Sequence, residues 1–336
     1  MFTINKSVSV WEQLVQLPFL NLYSRLLNAA MELDVFSQLC QPVTAEALAV
    51  HMGWHKANTE YLLSALVSIG FLNKTDGTYQ NTEEVDRYLV KGKDEYLGGF
   101  LPFYMQEGMA PMDVKLLVTK GPQSQQQEAM EQQLDFASFA QRMRQAQEGY
   151  RQQELLRIVR SLPENDQIRR VLDLGGATGL LGLAVIGDRP DRTGVLFDRF
   201  PPAVVEESIS LMGLTDRTEV MCGDFMTDRI GERYDLILAL NVMLFAKGRM
   251  EELLKKCYDA LNPGGVLLVI SEAILPDHTG PWDMVMGYLP YYFQGMDMGV
   301  LKNEVSDAAA RVGFTKCEKR TECLCSGTQD IDIIRK

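Results

Sequence analysis

The sequence predicts an α/β protein in two parts: a helical domain ending in a β-hairpin, followed by a seven-stranded, mostly parallel sheet flanked by helices. Three observations carry this reading. From Arg169 onward, short apolar runs alternate with helical stretches, the pattern of parallel strands joined by crossover helices. The first of those strands runs into a glycine-rich turn, Gly175-Gly176-Ala177-Thr178-Gly179. Much earlier, Asp76-Gly77 separates two short β-prone runs, a strong hairpin signal. With 336 residues, 46% of them hydrophobic, the chain is able to bury two cores.

The elements follow in order. Leu20 to Leu39 carries Leu22, Leu26, Leu27, Ala30, Leu33 and Phe36 at helical spacing. Thr44 is the expected N-cap of a short helix over Ala45–Met52, with Glu46 in its first turn. A third helix spans Thr59–Ile69 and stops at Gly70. Phe71–Lys74 and Tyr79–Asn81 flank the hairpin turn. Three helices and a hairpin outline a winged helix over residues 1–100, a shape that often reads DNA. Charge argues against that role. Between Thr44 and Val90, Lys56, Lys74 and Arg87 face Glu46, Glu60, Asp76, Glu83, Glu84 and Asp86, whereas phosphate contacts need clustered Lys and Arg.

The whole chain is acidic, with a formal net charge of -12. Such a surface repels phosphate backbones and anionic lipid, so neither nucleic acid nor membrane is an expected partner. The first residues lack a basic segment leading into an apolar one, and no run of about eighteen apolar residues occurs. The expected location is the cytosol. Six cysteines are too few for a disulfide framework. Cys40, Cys222 and Cys257 read as reduced core thiols. Cys317, Cys323 and Cys325 crowd the C-terminal end, but metal-binding spacing and a fourth ligand are missing, so no metal is expected.

Residues 101–165 read as a helical connector, with an exposed Gln- and Ser-rich stretch over Gly121–Gln133 and an amphipathic helix over Phe136–Val159. In the sheet domain, residues 166–336, the expected strands are Arg170–Leu174, Gly194–Phe197, Glu219–Cys222, Tyr234–Leu240 and Val266–Ser271. A final pair near Thr315–Arg320 and Asp330–Ile334 closes the sheet edge.

Ligands of such sheets bind at the carboxyl ends of the strands, and here those ends carry acid. Asp173 precedes the glycine turn, Asp198 ends the second strand, and Asp224, in Cys222-Gly223-Asp224-Phe225, ends the third. The turn alone resembles that of dinucleotide binders, but Gly175, Gly176 and Gly179 do not give their GxGxxG spacing. A carboxylate before the turn disfavours a pyrophosphate and favours an ammonium or sulfonium. Asp198 is placed for two ribose hydroxyls; Asp224 is placed to accept from an adenine amino group, with Phe225 against the ring. Any one aspartate at a strand end is as often a solvated turn residue; three in succession are poorly explained that way.

On these residues the chain resembles the class I S-adenosylmethionine-dependent methyltransferases, and among them the small-molecule O-methyltransferases of plants and bacteria that carry an N-terminal winged-helix dimerisation domain. The resemblance covers nearly the whole chain. It rests on Val171-Leu172-Asp173-Leu174-Gly175-Gly176-Ala177-Thr178-Gly179, Phe197-Asp198, Gly223-Asp224-Phe225, Leu261-Asn262-Pro263-Gly264-Gly265, Val312-Gly313-Phe314 and Asp332-Ile333-Ile334. It implies a Rossmann-like sheet domain and S-adenosyl-L-methionine as cofactor. Gly175 and Gly176 would line its methionine part, Asp198 its ribose, Asp224 and Phe225 its adenine, with Asp173, Gly179, Arg199 and Asn241 completing the site. The N-terminal domain would interlock two subunits as a homodimer.

One position departs from the family. Phenol-methylating members carry a catalytic histidine after the fourth strand; here Asn241-Val242-Met243-Leu244-Phe245 puts Leu244 in its place. Glu272 matches one of two acidic residues that steer that base, and Asp297 is at most a shifted substitute for the other. A phenol of pKa near 10 is only about one part in a thousand ionised at pH 7, and a general base is typically worth roughly 10²–10⁴-fold. A thiol of pKa near 8.5 is already a few per cent thiolate and needs little help. The departure favours a thiol, an acidic hydroxyl, an amine or an activated carbon as acceptor. Alternatively the base comes from Glu272, Asp283 or His278.

The acceptor pocket, by the same resemblance, draws on Met105, Met109, Met143, Met243, Leu244, Met284, Met286, Tyr288, Tyr291 and Tyr292. Methionine is first of all adaptable core filler, so this reading leans on the tyrosines and on position. The acceptor is then a small hydrophobic or aromatic molecule. Two other readings stand beside this one: a family member that keeps the cofactor pocket without transferring methyl, and a cofactor-sensing winged-helix regulator of DNA.

Overall fold

The computed structural model describes residues 9–102, 112–122 and 143–336. Contacts divide the chain into two compact units, Met1–Met109 and Ala110–Lys336. Among the described residues no helix is long and apolar enough to cross a membrane.

The first unit contains helices α1 (Val10–Glu32), α2 (Ala45–Met52), α3 (Lys56–Ser68) and α4 (Glu83–Leu89), with strands β1 (Val43–Thr44), β2 (Leu72–Thr75) and β3 (Thr78–Asn81) forming a small antiparallel sheet in the order β1-β3-β2. Helix α1 lies further toward the N-terminus than hydrophobic spacing predicts. A capping box between Ser9 and Glu12 starts it, it continues through Pro18, and it ends where Asp34 turns left-handed at φ 54°. Thr44 caps α2 as expected, accepting from Ala47 N–H. His55, not Thr59, opens α3, its ring nitrogen accepting from Asn58 N–H. At the hairpin, Asp76 (φ 48°) and Gly77 (φ 76°) are both left-handed, the requirement of a two-residue type I′ turn.

The second unit carries α5 (Val114–Lys120), α6 (Tyr150–Arg160), α7 (Leu180–Gly187), α8 (Pro202–Leu211), α9 (Met250–Ala260), α10 (Trp282–Phe293) and α11 (Glu304–Val312). Its strands are β4 (Arg170–Leu174), β5 (Thr193–Asp198), β6 (Thr218–Cys222), β7 (Tyr234–Leu240), β8 (Leu261–Glu272), β9 (Lys316–Leu324) and β10 (Gly327–Arg335). They form one sheet in the order β6-β5-β4-β7-β8-β10-β9, parallel except that β10 runs antiparallel to β8 and β9. Strand order reverses between β4 and β7, which makes a crevice at their carboxyl ends. Buried apolar residues cover both faces, Leu172, Ile237 and Leu267 on one and Val171, Leu236 and Leu268 on the other, as a doubly covered sheet requires.

Three expectations for this unit change. The last strand pair is longer than its apolar cores, because a hairpin lets Cys317 to Leu324 and Gly327 to Ile334 pair without a break. The amphipathic helix expected over Phe136–Val159 is broken: residues 143–147 are helical, and Gly149 at φ 67° separates them from α6. Cys222, expected in the core, is exposed, since the end of β6 opens to solvent; Cys257 is buried and Cys40 half-buried. Most of Gly121–Gln133 lies outside the described residues.

Candidate active site

The glycine turn stands at the switch point, between the tips of β4 and β7. Its path is dictated by close approach. A Cβ on Gly175 would meet Val242 Cγ1 at 2.6 Å, and one on Gly176 would meet Asp173 Oδ2 at 2.1 Å; Gly175 is left-handed at φ 72° and Ala177 at φ 55°. Both glycines are partly exposed, so the bare backbone faces the crevice.

Asp173 holds this turn from beneath. It is 1% exposed, and its Oδ2 accepts the Gly182 N–H at 3.1 Å. Burial pushes its pKa up to about 7, with the charge of Asp198 adding to the rise and the Gly182 hydrogen bond opposing it. Its Oδ1 is buried without a partner. The sequence suggested a carboxylate meeting a ligand's positive charge; in the structure the group lies buried beneath the turn, bonded to the Gly182 N–H.

Asp198 at the tip of β5 does face the crevice. Its Oδ2 accepts the Ala177 N–H at 2.8 Å and its Oδ1 the Phe200 N–H at 3.0 Å. Each oxygen keeps a lone pair for another donor. Asp224, after β6, accepts the Met226 N–H at 2.8 Å, and Arg199 Nη1 stands 3.9 Å from its Oδ2. Phe225 packs inward, its Cε1 3.4 Å from the Cβ position of Gly175. These features fit an adenosyl ligand with an ammonium group: a bare cradle that any Cβ would fill, two half-exposed carboxylates with spare acceptors, and an aromatic wall.

Gln147 is a residue that sequence reasoning missed. Its amide nitrogen donates to Gly176 O at 3.0 Å and its oxygen accepts from Thr178 Oγ1 at 2.6 Å, clamping the turn. One more glutamine in a Gln-rich stretch gives no sequence signal. Arg151 is a second such residue, donating to Asn241 Oδ1 at 3.4 Å. Asn241, at φ 55° after β7, also hydrogen-bonds Glu272.

Glu272 ends β8 and is 1% exposed. Tyr288 Oη, from α10, donates to its Oε1 at 2.5 Å, while its Oε2 is buried without a partner. Desolvation raises its pKa, and the hydrogen bonds from Tyr288 and Asn241 oppose the rise. Tyr291 and Tyr292 stand beside Tyr288, with ring centroids 5.9 and 6.5 Å away. Asp283, the other candidate base, accepts the Thr328 N–H through Oδ2 at 2.6 Å and so ties α10 to the start of β10. Asp297 is taken by Lys247 Nζ at 2.6 Å, and His278 is exposed, edge-on to Tyr292.

The methionines divide. Met243 is fully buried in the main core, and Leu244 packs half-buried against it. Met143 lies against Ala177 and Phe200, on the glycine-turn side. Met284 is buried against Gly327, and Met286 is exposed. Met105 and Met109 lie outside the described residues. Among the described residues, no group of three His, Cys, Asp or Glu side chains is placed to hold a metal ion.

The model of the O-methyltransferase domain matches residues 122–314, more than half of the chain, and that of the O-methyltransferase dimerisation domain matches residues 15–91. The chain belongs to the O-methyltransferase family. As an O-methyltransferase family member it is an enzyme, an S-adenosylmethionine-dependent methyltransferase of small molecules. A 3-hydroxy-5-methyl-1-naphthoate 3-O-methyltransferase of Streptomyces sahachiroi is 26% identical over 267 residues, 77% of this chain and 76% of that protein. A bacteriochlorophyllide d C-20 methyltransferase of Chlorobaculum tepidum is 25% identical over 328 residues, 92% of this chain and 89% of that protein. The fold matches that of human N-acetylserotonin methyltransferase in complex with SAM, with a TM-score of 0.75, 20% identity and coverage of 99% of both chains.

Proposed function

We propose that this methyltransferase acts on a flat, hydrophobic aromatic acceptor, as a homodimer. The observation that carries the acceptor class is the tyrosine cluster of α10, Tyr288, Tyr291 and Tyr292, beside the buried carboxylate of Glu272 at the sheet's carboxyl edge. Aromatic faces with a few hydroxyls favour a flat apolar ligand. Two relatives, named as a naphthoate O-methyltransferase and a bacteriochlorophyllide C-methyltransferase, agree with such a shape.

S-adenosylmethionine supplies an electrophilic methyl on a sulfonium. In this reading Gly175 and Gly176 hold its methionine part, Asp198 takes the ribose and Asp224 with Phe225 the adenine; Arg199 closes the outer side and Asn241 lies toward the acceptor. Gln147 fixes the turn. What the chain then contributes is in-line positioning, which alone is worth several kcal/mol. Asp283 anchors α10 and takes no part in proton transfer. Leu244 leaves position 244 without a base, so the acceptor atom either ionises readily or passes its proton to Glu272.

The reading assigns residues 1–100 to dimerisation. Trp11, Leu14 and Leu22 of α1 are 73%, 56% and 66% exposed. An apolar stripe of this size calls for a cover; the dimerisation-domain match, residues 15–91, takes in Leu22 and most of α1, which supports a second copy of the chain as the occupant. The experiment is mass spectrometry of products after the enzyme meets cell extract and isotope-labelled cofactor. A labelled aromatic product is expected; label appearing only on proteins or nucleic acid overturns the reading.

A further inference from the structure

By the family resemblance Leu244 stands where a catalytic histidine is expected, yet the same edge of the sheet holds a buried carboxylate with an unusual set of partners. Among the described residues Glu272 makes no ion pair, and Arg151 reaches it through Asn241. Its hydrogen bonds come from Tyr288 Oη, from Asn241 and from backbone. Burying a carboxylate without an ion-pair partner costs several kcal/mol. A packing role alone leaves that cost without return, because a glutamine or an apolar residue packs there more cheaply. Access is the second observation. Glu272 is sealed off at 1% exposed, whereas Tyr288 is half-exposed with Tyr291 and Tyr292 around it. Of the pair, only Tyr288 is open to a molecule arriving from solvent.

We propose that Tyr288 and Glu272 form a two-member proton relay that replaces the missing histidine, with Tyr288 as the group that touches the acceptor. The inference rests on the aromatic-acceptor reading above. The acceptor's O–H proton passes to Tyr288 Oη as the proton of Tyr288 passes to Glu272 Oε1. The freed lone pair of the acceptor oxygen takes the methyl; a C–O bond forms, the C–S bond breaks, and its electron pair stays on sulfur. The sulfonium charge disappears as the carboxylate becomes a carboxylic acid, which returns its proton to solvent through Tyr288 Oη after product leaves. A tyrosine alone is a poor sink at neutral pH, with a pKa near 10. The carboxylate, raised by burial and bonded at 2.5 Å, supplies the affinity for the proton that the phenol lacks. Asn241, in the left-handed region and fixed by Arg151, positions the carboxylate from the other side.

The test compares two acceptors of one shape, 2-naphthol and 2-naphthalenethiol, in single turnovers with labelled cofactor. The wild-type enzyme is expected to methylate both. Tyr288→Phe and Glu272→Gln are each expected to cut transfer to the naphthol by about 10²–10⁴-fold, and transfer to the already ionised thiol far less. The double variant should be no slower than either single one, since the two side chains act as a unit. A merely structural role lowers both acceptors by the same factor. Equal losses, additive losses, or failure of the wild type on the naphthol overturns the relay. Calorimetry with S-adenosylhomocysteine accompanies each variant: unchanged affinity locates the defect at the acceptor, while no binding even by wild type defeats the methyltransferase reading itself.

Discussion

Asp198 and Ala177 are joined by a hydrogen bond of 2.8 Å from the Ala177 N–H to Oδ2, across the gap between the tip of β5 and the glycine turn after β4. In the proposed cofactor site, the carboxylate assigned to ribose therefore also holds the turn assigned to the methionine part, so damage to one half of that site is expected to spread to the other.

Asp198→Ala removes both functions. A hydrogen bond to a charged group is worth about 1.5–3 kcal/mol, and every 1.4 kcal/mol is tenfold in affinity. The dissociation constant for S-adenosylhomocysteine, measured by calorimetry, is expected to rise by about 10–100-fold. Asp198→Asn, which keeps one carbonyl acceptor, should lose less. Equal losses in the two variants would assign the effect to charge and not to the hydrogen bond.

Gly176→Ala tests the close approach in the turn. The added methyl meets the Asp173 carboxylate at 2.1 Å, and the turn has to shift. The expected cost is about 1–3 kcal/mol of stability, as for other overpacked sites, together with loss of S-adenosylhomocysteine binding. Thermal unfolding and calorimetry check the two parts separately.

The pKa of Asp173, raised to about 7, gives a pH dependence of known sign. The unfolded value is near 3.9, so the native state binds the proton more tightly. This contribution is fully present below about pH 4 and is lost as pH rises through 7, an effect of up to roughly 4 kcal/mol. Asp332, raised to about 6 by burial, acts in the same direction. Denaturant unfolding of the cofactor-free protein between pH 4 and 8 should therefore decline more steeply for wild type than for Asp173→Asn. Parallel curves would show that Asp173 is not protonated in the native state.

Trp11→Glu combined with Leu22→Glu puts charge on the apolar stripe of α1. Sedimentation should convert from a dimer to a monomer, with the helical content by circular dichroism retained. A dimer that survives both changes has its interface elsewhere.

Leu244→His in the Tyr288→Phe background should restore at least tenfold of the lost naphthol methylation, because a base regained at the turn after β7 makes the relay dispensable. Rates that stay flat would mean that residue 244 does not face the acceptor.

Strand tips, turns and caps were legible in the sequence because they are short-range: Asp76-Gly77 sets its own hairpin, Thr44 caps its own helix, and Asp173, Asp198 and Asp224 each end an apolar run. These local rules determined the two-part architecture, the strand positions from Arg170 to Leu240 and the family. Only tertiary structure decided which of those residues meet. Burial separated Asp173, under the turn, from Asp198 beside it. It sent Met243 into the core and tied Asp283 to Thr328. It brought Gln147 onto Gly176 from 29 residues away in sequence and Tyr288 onto Glu272 from a different element. Periodicity and propensity act within a few residues, whereas a hydrogen bond between distant segments exists only once packing has fixed both backbones, and the candidate proton relay is of that second kind.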